Sequence, residues 1–182
     1  MTFTQLSLER AHGLINHGPT VLITSKYQDK VNIMTAAWCM PVSHNPPMMA
    51  VAIGFTRFSH KLIVQSREFA INIPDHQLLR ALWCCGTTSG KTKDKFSLCG
   101  LTPVAGSRIE APLIGECVGA IECRLDSHPT AGDHSMMVGE VLAAWVKPDV
   151  FEDRLKVEKR EARTLHHLGG KDFCVPAQVI RI

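Results

Sequence analysis

No stretch of this chain approaches the about 18 consecutive apolar residues that a membrane-spanning helix needs, and the longest apolar run, Met48 to Phe55, is strand-sized. The N-terminus lacks a basic patch followed by an apolar stretch, so no signal peptide is expected and a cytoplasmic location is. Charge of one sign is also missing. The formal net charge is only +3, and the one basic cluster, Lys156 to Arg163, is broken by Glu158 and Glu161, so neither nucleic acid nor membrane is an expected partner. No Gly-x-Gly-x-x-Gly string follows a strand, which removes the usual dinucleotide fingerprint. No Cys-x-x-Cys occurs among the seven cysteines, so a zinc knuckle or a thioredoxin-like motif is not expected. Those cysteines read as reduced, mostly buried structural thiols, and no metal site is assigned.

What remains is an ordinary globular composition. With 182 residues, of which 45% are hydrophobic and 20% charged, the chain suits one core and a single domain over residues 1–182. Thr20–Ser25 and Val31–Cys39 are β-branched or apolar runs separated by a polar turn, and they predict a hairpin. Asn45-Pro46-Pro47 punctuates the chain before a buried strand over Met48–Gly54. Ser59–Ser66 has helical spacing with Ser59 as its expected cap, and Glu68–Ile73 is a further strand stopped by Pro74. Asp75 is placed to cap a helix carrying Leu78, Leu79, Leu82 and Trp83 on one side, and Thr92–Cys99 predicts a short helix ended by Gly100. Glu116–Ser127 and Ser135–Val146 read as two long strands joined by a turn-rich connection, followed by a helix over Phe151–Arg163 and a closing strand over Cys174–Ile180. Many short strands with a few inserted helices predict a mainly β fold, a Greek-key-like antiparallel barrel, closed or partly closed.

One motif fails on inspection. Gly86 to Thr92 resembles a P-loop, but three residues rather than four separate its glycines, and it follows a helical segment instead of a strand.

Taken in order, a set of short strings resembles the flavin reductase-like family, whose fold is the FMN-binding split barrel. They include Asn32-Ile-Met-Thr35-Ala-Ala-Trp38, Pro41-Val-Ser43, Arg57-Phe-Ser59-His-Lys61 and Phe69-Ala-Ile-Asn72-Ile-Pro74. Ser89-Gly90 with Asp94-Lys95-Phe96, Ala111-Pro112, Gly132-Asp133-His134 and Leu168-Gly169-Gly170 continue the series, and the first string looks most like the flavoredoxins.

The resemblance implies FMN as cofactor and a homodimer as the assembly. It sets Asn32, Thr35, Ala36, Ala37 and Trp38 along the flavin ring, with Ser43 nearby, where small side chains let backbone approach the ring edge. A buried strand with a core Trp is the plain reading of the same residues. It sets Arg57, Ser59 and Lys61 at the FMN phosphate, where a helix start adds free amides to side-chain donors; the plain reading is a solvated Arg and Lys around a capping Ser. Ser89 belongs to the same binding set. Lys95 is implied either at the N1–C2 edge of the ring or at the phosphate. His134 is implied as the catalytic, proton-exchanging residue, and His167 as a side chain closing over the site, with a surface His as the rival reading.

Three functions remain open: a flavoredoxin-like oxidoreductase passing two electrons through bound FMN, an NAD(P)H:flavin oxidoreductase that releases its flavin, and a non-catalytic flavin-binding module. The electron donor, NAD(P)H or a redox protein, is not specified by any motif. The missing dinucleotide fingerprint does not decide the matter, because split-barrel enzymes that this chain resembles bind nicotinamide without one.

Overall fold

Val21 and Ile23 point to one side of the first strand and Leu22 to the other, and all three are buried. A strand covered on both faces must lie between two apolar layers, and the computed structural model, which describes residues 7–181, shows both. A 3-10 helix, Leu8–Leu14, precedes the sheet. β1 (Val21–Tyr27) and β2 (Lys30–Ala36) form a hairpin that turns at Gln28, where φ is 52°. β3 (Cys39–His44) and β4 (Pro47–Gly54) form a second, turned by a cis Asn45–Pro46 bond. α1 (Phe58–Ser66), β5 (Glu68–Ile73), α2 (Leu79–Thr87) and α3 (Lys95–Cys99) come next. β6 (Pro103–Val104) pairs with β7 (Leu113–Ile114) outside the main sheet. β8 (Gly119–Ser127), β9 (Thr130–Ala131) and β10 (His134–Val146) complete the main sheet, and β11 (His166–Gly169) pairs with β12 (Asp172–Cys174).

The main sheet runs β2-β1-β5-β8-β10-β4-β3, with β9 on β10 and every pairing antiparallel. β2 and β3 sit at opposite ends of that order, yet only Ala37 and Trp38 separate them in the chain. Laid flat, the two ends would be about 29 Å apart at about 4.8 Å per strand, and a two-residue link cannot reach so far. The sheet therefore curls until its ends meet. The bond from the Ala52 amide to the Trp38 carbonyl, 2.9 Å, holds the link against β4. This is the mainly β antiparallel barrel that the strand pattern predicts, in the split form that the resemblance implies.

Inside the barrel, Val21, Ile23, Ile53, Ile63, Phe69 and Met137 form one core. Outside β1 and β2, Leu22 and Ile33 pack with Leu82, Cys85 and Phe96 of the helices in a second. Gly139 is required where β10 crosses the first core, since a Cβ there would lie 2.7 Å from the Phe69 ring.

Several expectations are corrected. The predicted strand over Val31–Cys39 breaks after Ala36, because the chain changes ends of the sheet there. Arg57 rather than Ser59 occupies the N-cap of α1; the Ser59 side chain is buried and accepts from Asn32 instead. On α2 the inward residues are Leu82 and Cys85, with Leu79 and Trp83 exposed, because its first turn is a separate 3-10 segment capped by Asp75. Gly86, the first residue of the P-loop-like string, is still helical, as α2 runs through Thr87. Phe151–Arg163 is not a helix but a set of turns with one 3-10 turn at Arg160–Ala162; Asp149 at φ 65° redirects the chain so that Val150, Leu155 and Ala162 cluster on Val118. No strand covers Cys174–Ile180, because pairing ends at Cys174 and Pro176 has no amide to donate. Cys84 and Cys99 form a disulfide instead of standing as free thiols. Cys85, Cys117 and Cys123 are buried thiols, and desolvation pushes all three pKa values up, Cys85 to about 11 and Cys123 to about 12.

Glu122, on β8, is fully buried and pins the loop before β7 to the sheet. Its carboxylate accepts from the amides of Ser107, Arg108 and Ile109 and from Trp145 Nε1, at 2.7–3.2 Å. Burial alone would raise its pKa, but the Trp145 and amide donors outweigh burial and the net shift is downward. In Glu122→Gln the amide –NH2 must face backbone N–H donors, so urea unfolding is expected to show a loss of about 2–4 kcal/mol. A group whose folded pKa is depressed stabilises above its unfolded value, so the gap between wild type and variant should close as pH falls below 4.5. A gap independent of pH would mean that Glu122 is not charged in the fold.

Candidate functional site

Where the barrel splits, the end of β2, the end of β4, the start of α1 and the segment after α2 enclose a cavity of about 510 Å3. Its floor is made of small residues: Ala36 and Ala37 at the β2 end, Ala52 and Gly54 on β4. β2 also lends Asn32 and Thr35 to the lining, and the Thr35 hydroxyl donates to the Leu82 carbonyl at 2.6 Å, locking α2 against the strand.

One end of the cavity is a pole of donors and positive charge. Arg57 and Ser59 stand at the first turn of the nine-residue helix α1, where the leading amides lack partners within the helix. Ser89, Lys91 and Lys95 come from the segment opposite. Lys95 is buried and donates to the carbonyls of Ile33 and Cys85, both at 2.7 Å. Desolvation is the main cause that lowers its pKa, with Arg57 pushing in the same direction. Asn32 Nδ2 donates to Ser59 Oγ at 2.8 Å, while its Oδ1 is buried without a partner. A Cβ on Gly90 would overlap the Asn32 amide, so only glycine lets that segment lie so close.

The other end is aromatic and wet. Trp38, 45% exposed, has His134 at 5.1 Å and His12 at 5.9 Å between ring centroids. Its Nε1 donates to Asn16 Oδ1 at 2.6 Å, and Asn16 Nδ2 reaches His167 Nδ1 at 3.3 Å. His134 Nδ1 sits 2.6 Å from Asp133 Oδ1, which orients the ring and lowers the Asp133 pKa. A slot with a small-residue floor, an aromatic wall and a cationic, amide-rich pole suits a flat heteroaromatic ligand with an anionic tail.

The cavity thus gathers Asn32, Thr35, Ala36, Ala37, Trp38, Arg57, Ser59, Ser89, Lys95, His134 and His167. Ser43 and Lys61 lie outside it: Ser43 is on edge strand β3, and Lys61 is exposed on the far side of α1 from buried Ser59. His12, Asn16 and Gly54 line it without having been legible in the sequence, since no periodicity or motif marks them, and Gly86 of the rejected P-loop-like string lines it as well. Among the described residues no helix is long and apolar enough to cross a membrane.

A half-open antiparallel barrel with its cleft at the split is the architecture of the FMN-binding split-barrel proteins. The chain belongs to the flavin reductase-like family: the model of the flavin reductase like domain matches residues 14–166. An uncharacterized protein of Escherichia coli K12, YddH, is 38% identical over 94% of this chain and 93% of its own. Flavoredoxin of Desulfovibrio vulgaris (Miyazaki F) superposes with a TM-score of 0.86 at 26% identity, over 98% of this chain and 97% of that one. An FMN-binding domain of a flavin reductases-like enzyme from Shewanella baltica gives 0.83 at 26% identity, over 98% and 96%.

Gly90→Ala should force Asn32 away from Ser59 and destabilise the protein by about 1–3 kcal/mol, the usual cost of overpacking. Removing the obstacle with Asn32→Ala should make the second substitution cheaper, and strictly additive losses in a double-mutant cycle would show that the two residues are not in contact.

Proposed function

We propose that the cavity binds FMN and that the protein is a flavoredoxin-like oxidoreductase that passes two electrons through the bound flavin, working as a cytoplasmic homodimer. The observation that carries this reading is the joining of a donor pole at the start of α1 to a slot floored by Ala36, Ala37, Ala52 and Gly54. A phosphate matches the first, and a tricyclic ring matches the second.

Arg57 and Ser59 receive the phosphate, with Ser89 closing on it from the opposite segment. Asn32, whose Oδ1 has no partner, orients the Ser59 hydroxyl from behind. Thr35, Ala36 and Ala37 run along the ring, and Trp38 closes its open side. Bound FMN supplies reversible, proton-coupled two-electron chemistry. Lys95 contributes positive potential beneath the slot, which favours negative charge gained on reduction, and its position is set by the two carbonyls it holds. His134, oriented by Asp133, moves the accompanying proton at its free Nε2. His167 shields the mouth. Exposed Met40 and Val42 on edge strand β3, beside Trp38, supply an apolar strip for the second subunit.

Protein that stays yellow through gel filtration, with one FMN per chain, supports the reading. Loss of colour on desalting would favour flavin as a released substrate, and no flavin-dependent change in absorbance or fluorescence would overturn both. Anaerobic reduction with NADH, NADPH and a reduced ferredoxin-like carrier, run in parallel, names the donor. His134→Ala should slow reduction by about 10²-fold and flatten its pH profile; an unchanged profile removes His134 from the proton path.

A further inference from the structure

Cys84, near the end of α2, and Cys99, the last residue of α3, are joined by a disulfide with Cα atoms 5.9 Å apart. The segment between them carries Gly86, Thr87, Ser89, Gly90, Lys91 and Lys95 into the cavity wall. The bond therefore closes a loop whose interior is one side of the site. Between Thr87 and Asp94 the hydrogen bonds are local ones, and the anchor to the strand is Lys95 just beyond. Thr88 N–H reaches the Cys84 carbonyl at 3.1 Å, and Lys95 Nζ reaches Cys85 and Ile33. From Thr87 to Asp94 most residues are exposed and without regular hydrogen bonding past the end of α2, which is the condition for inexpensive local opening.

Cys84 and Cys99 are both half-buried, so a thiol can reach the bond. Neighbouring Cys85 is buried, and desolvation pushes its pKa up to about 11. It holds too little thiolate near neutral pH to exchange with the pair.

We propose that Cys84 and Cys99 form a reversible thiol–disulfide centre that opens and closes the segment between them over the cavity, so that the redox state of the pair sets how tightly flavin is held. This rests on the flavin reading above. The step is a two-electron exchange with a dithiol: the Cys84–Cys99 bond breaks, each sulfur takes up one electron and one proton, and the donor dithiol becomes a disulfide. A disulfide oxidant reverses it. In a thiol-reducing compartment the segment is released, and under oxidation it is stapled shut.

The oxidised protein should show five free thiols when denatured and seven after treatment with dithiothreitol. FMN, followed by quenching of its fluorescence, should bind about tenfold more weakly to the reduced protein, a coupling of ordinary size. Cys84→Ser with Cys99→Ser should match the reduced protein and no longer respond to dithiothreitol. Without flavin, trypsin should cut after Lys91 and Lys93 faster in the reduced state. Seven thiols in both samples, or equal FMN affinity in the two redox states, overturns the proposal. If no state binds FMN while trypsin cutting still follows the thiols, the flavin reading fails and redox control of the segment stands.

Discussion

A buried ammonium group keeps its charge only where acceptors replace the water it has lost, and Lys95 finds two, the carbonyls of Ile33 and Cys85. Those carbonyls belong to β2 and α2, while Lys95 itself opens α3. One side chain thus fixes three elements at the point where they enclose the cavity. The apolar layer of Leu22, Ile33, Leu82, Cys85 and Phe96 beneath it supplies the burial that makes the bonds strong. This clamp helps to set the distance at which the segment after α2 stands from the strand. The close approach of Gly90 to Asn32 and the Thr35–Leu82 bond both depend on the same spacing.

The barrel supplies the other half of the site by a purely geometric route. A two-residue link between strands at opposite ends of the sheet forces closure, and the link itself, Ala37 and Trp38, becomes part of the cavity wall. The residues that close the fold are therefore also residues that line the cavity. The donor pole follows from the same closure, because β4 ends at Gly54 and the chain turns at once into α1 beside the β2 end. The cavity occupies the seam, where the sheet's hydrogen bonding is interrupted.

Much of this was legible in the order of residues. The β-branched run at Thr20–Ser25, the apolar run at Met48–Gly54, the turn at Asn45-Pro46-Pro47 and the Asp75 cap mark elements by local physics, and the elements stand where those signals fall. Local physics failed where a residue's state depends on a distant neighbour. Ser59 looks like a cap, but Asn32, from a strand far off in the chain, takes its hydroxyl. Phe151–Arg163 carries charges at helical spacing, yet its apolar residues are drawn to Val118. Leu79 and Trp83 looked inward on a single helical wheel, but the 3-10 turn ahead of α2 rotates the buried stripe to Leu82 and Cys85.

The sequence by itself determined the class of fold, the family and part of the cavity's wall, because strand alternation, turns and caps act between near neighbours and the Asn32–Trp38 and Arg57–Ser59 strings stay intact as local units. Tertiary structure alone decided that His12 and Asn16 reach the mouth, that Lys61 and Ser43 stay outside, and that Cys84 meets Cys99. Those outcomes depend on how far the sheet curls and on how α2 and α3 pack against it. Both are properties of the whole packed core, which no short window of residues contains.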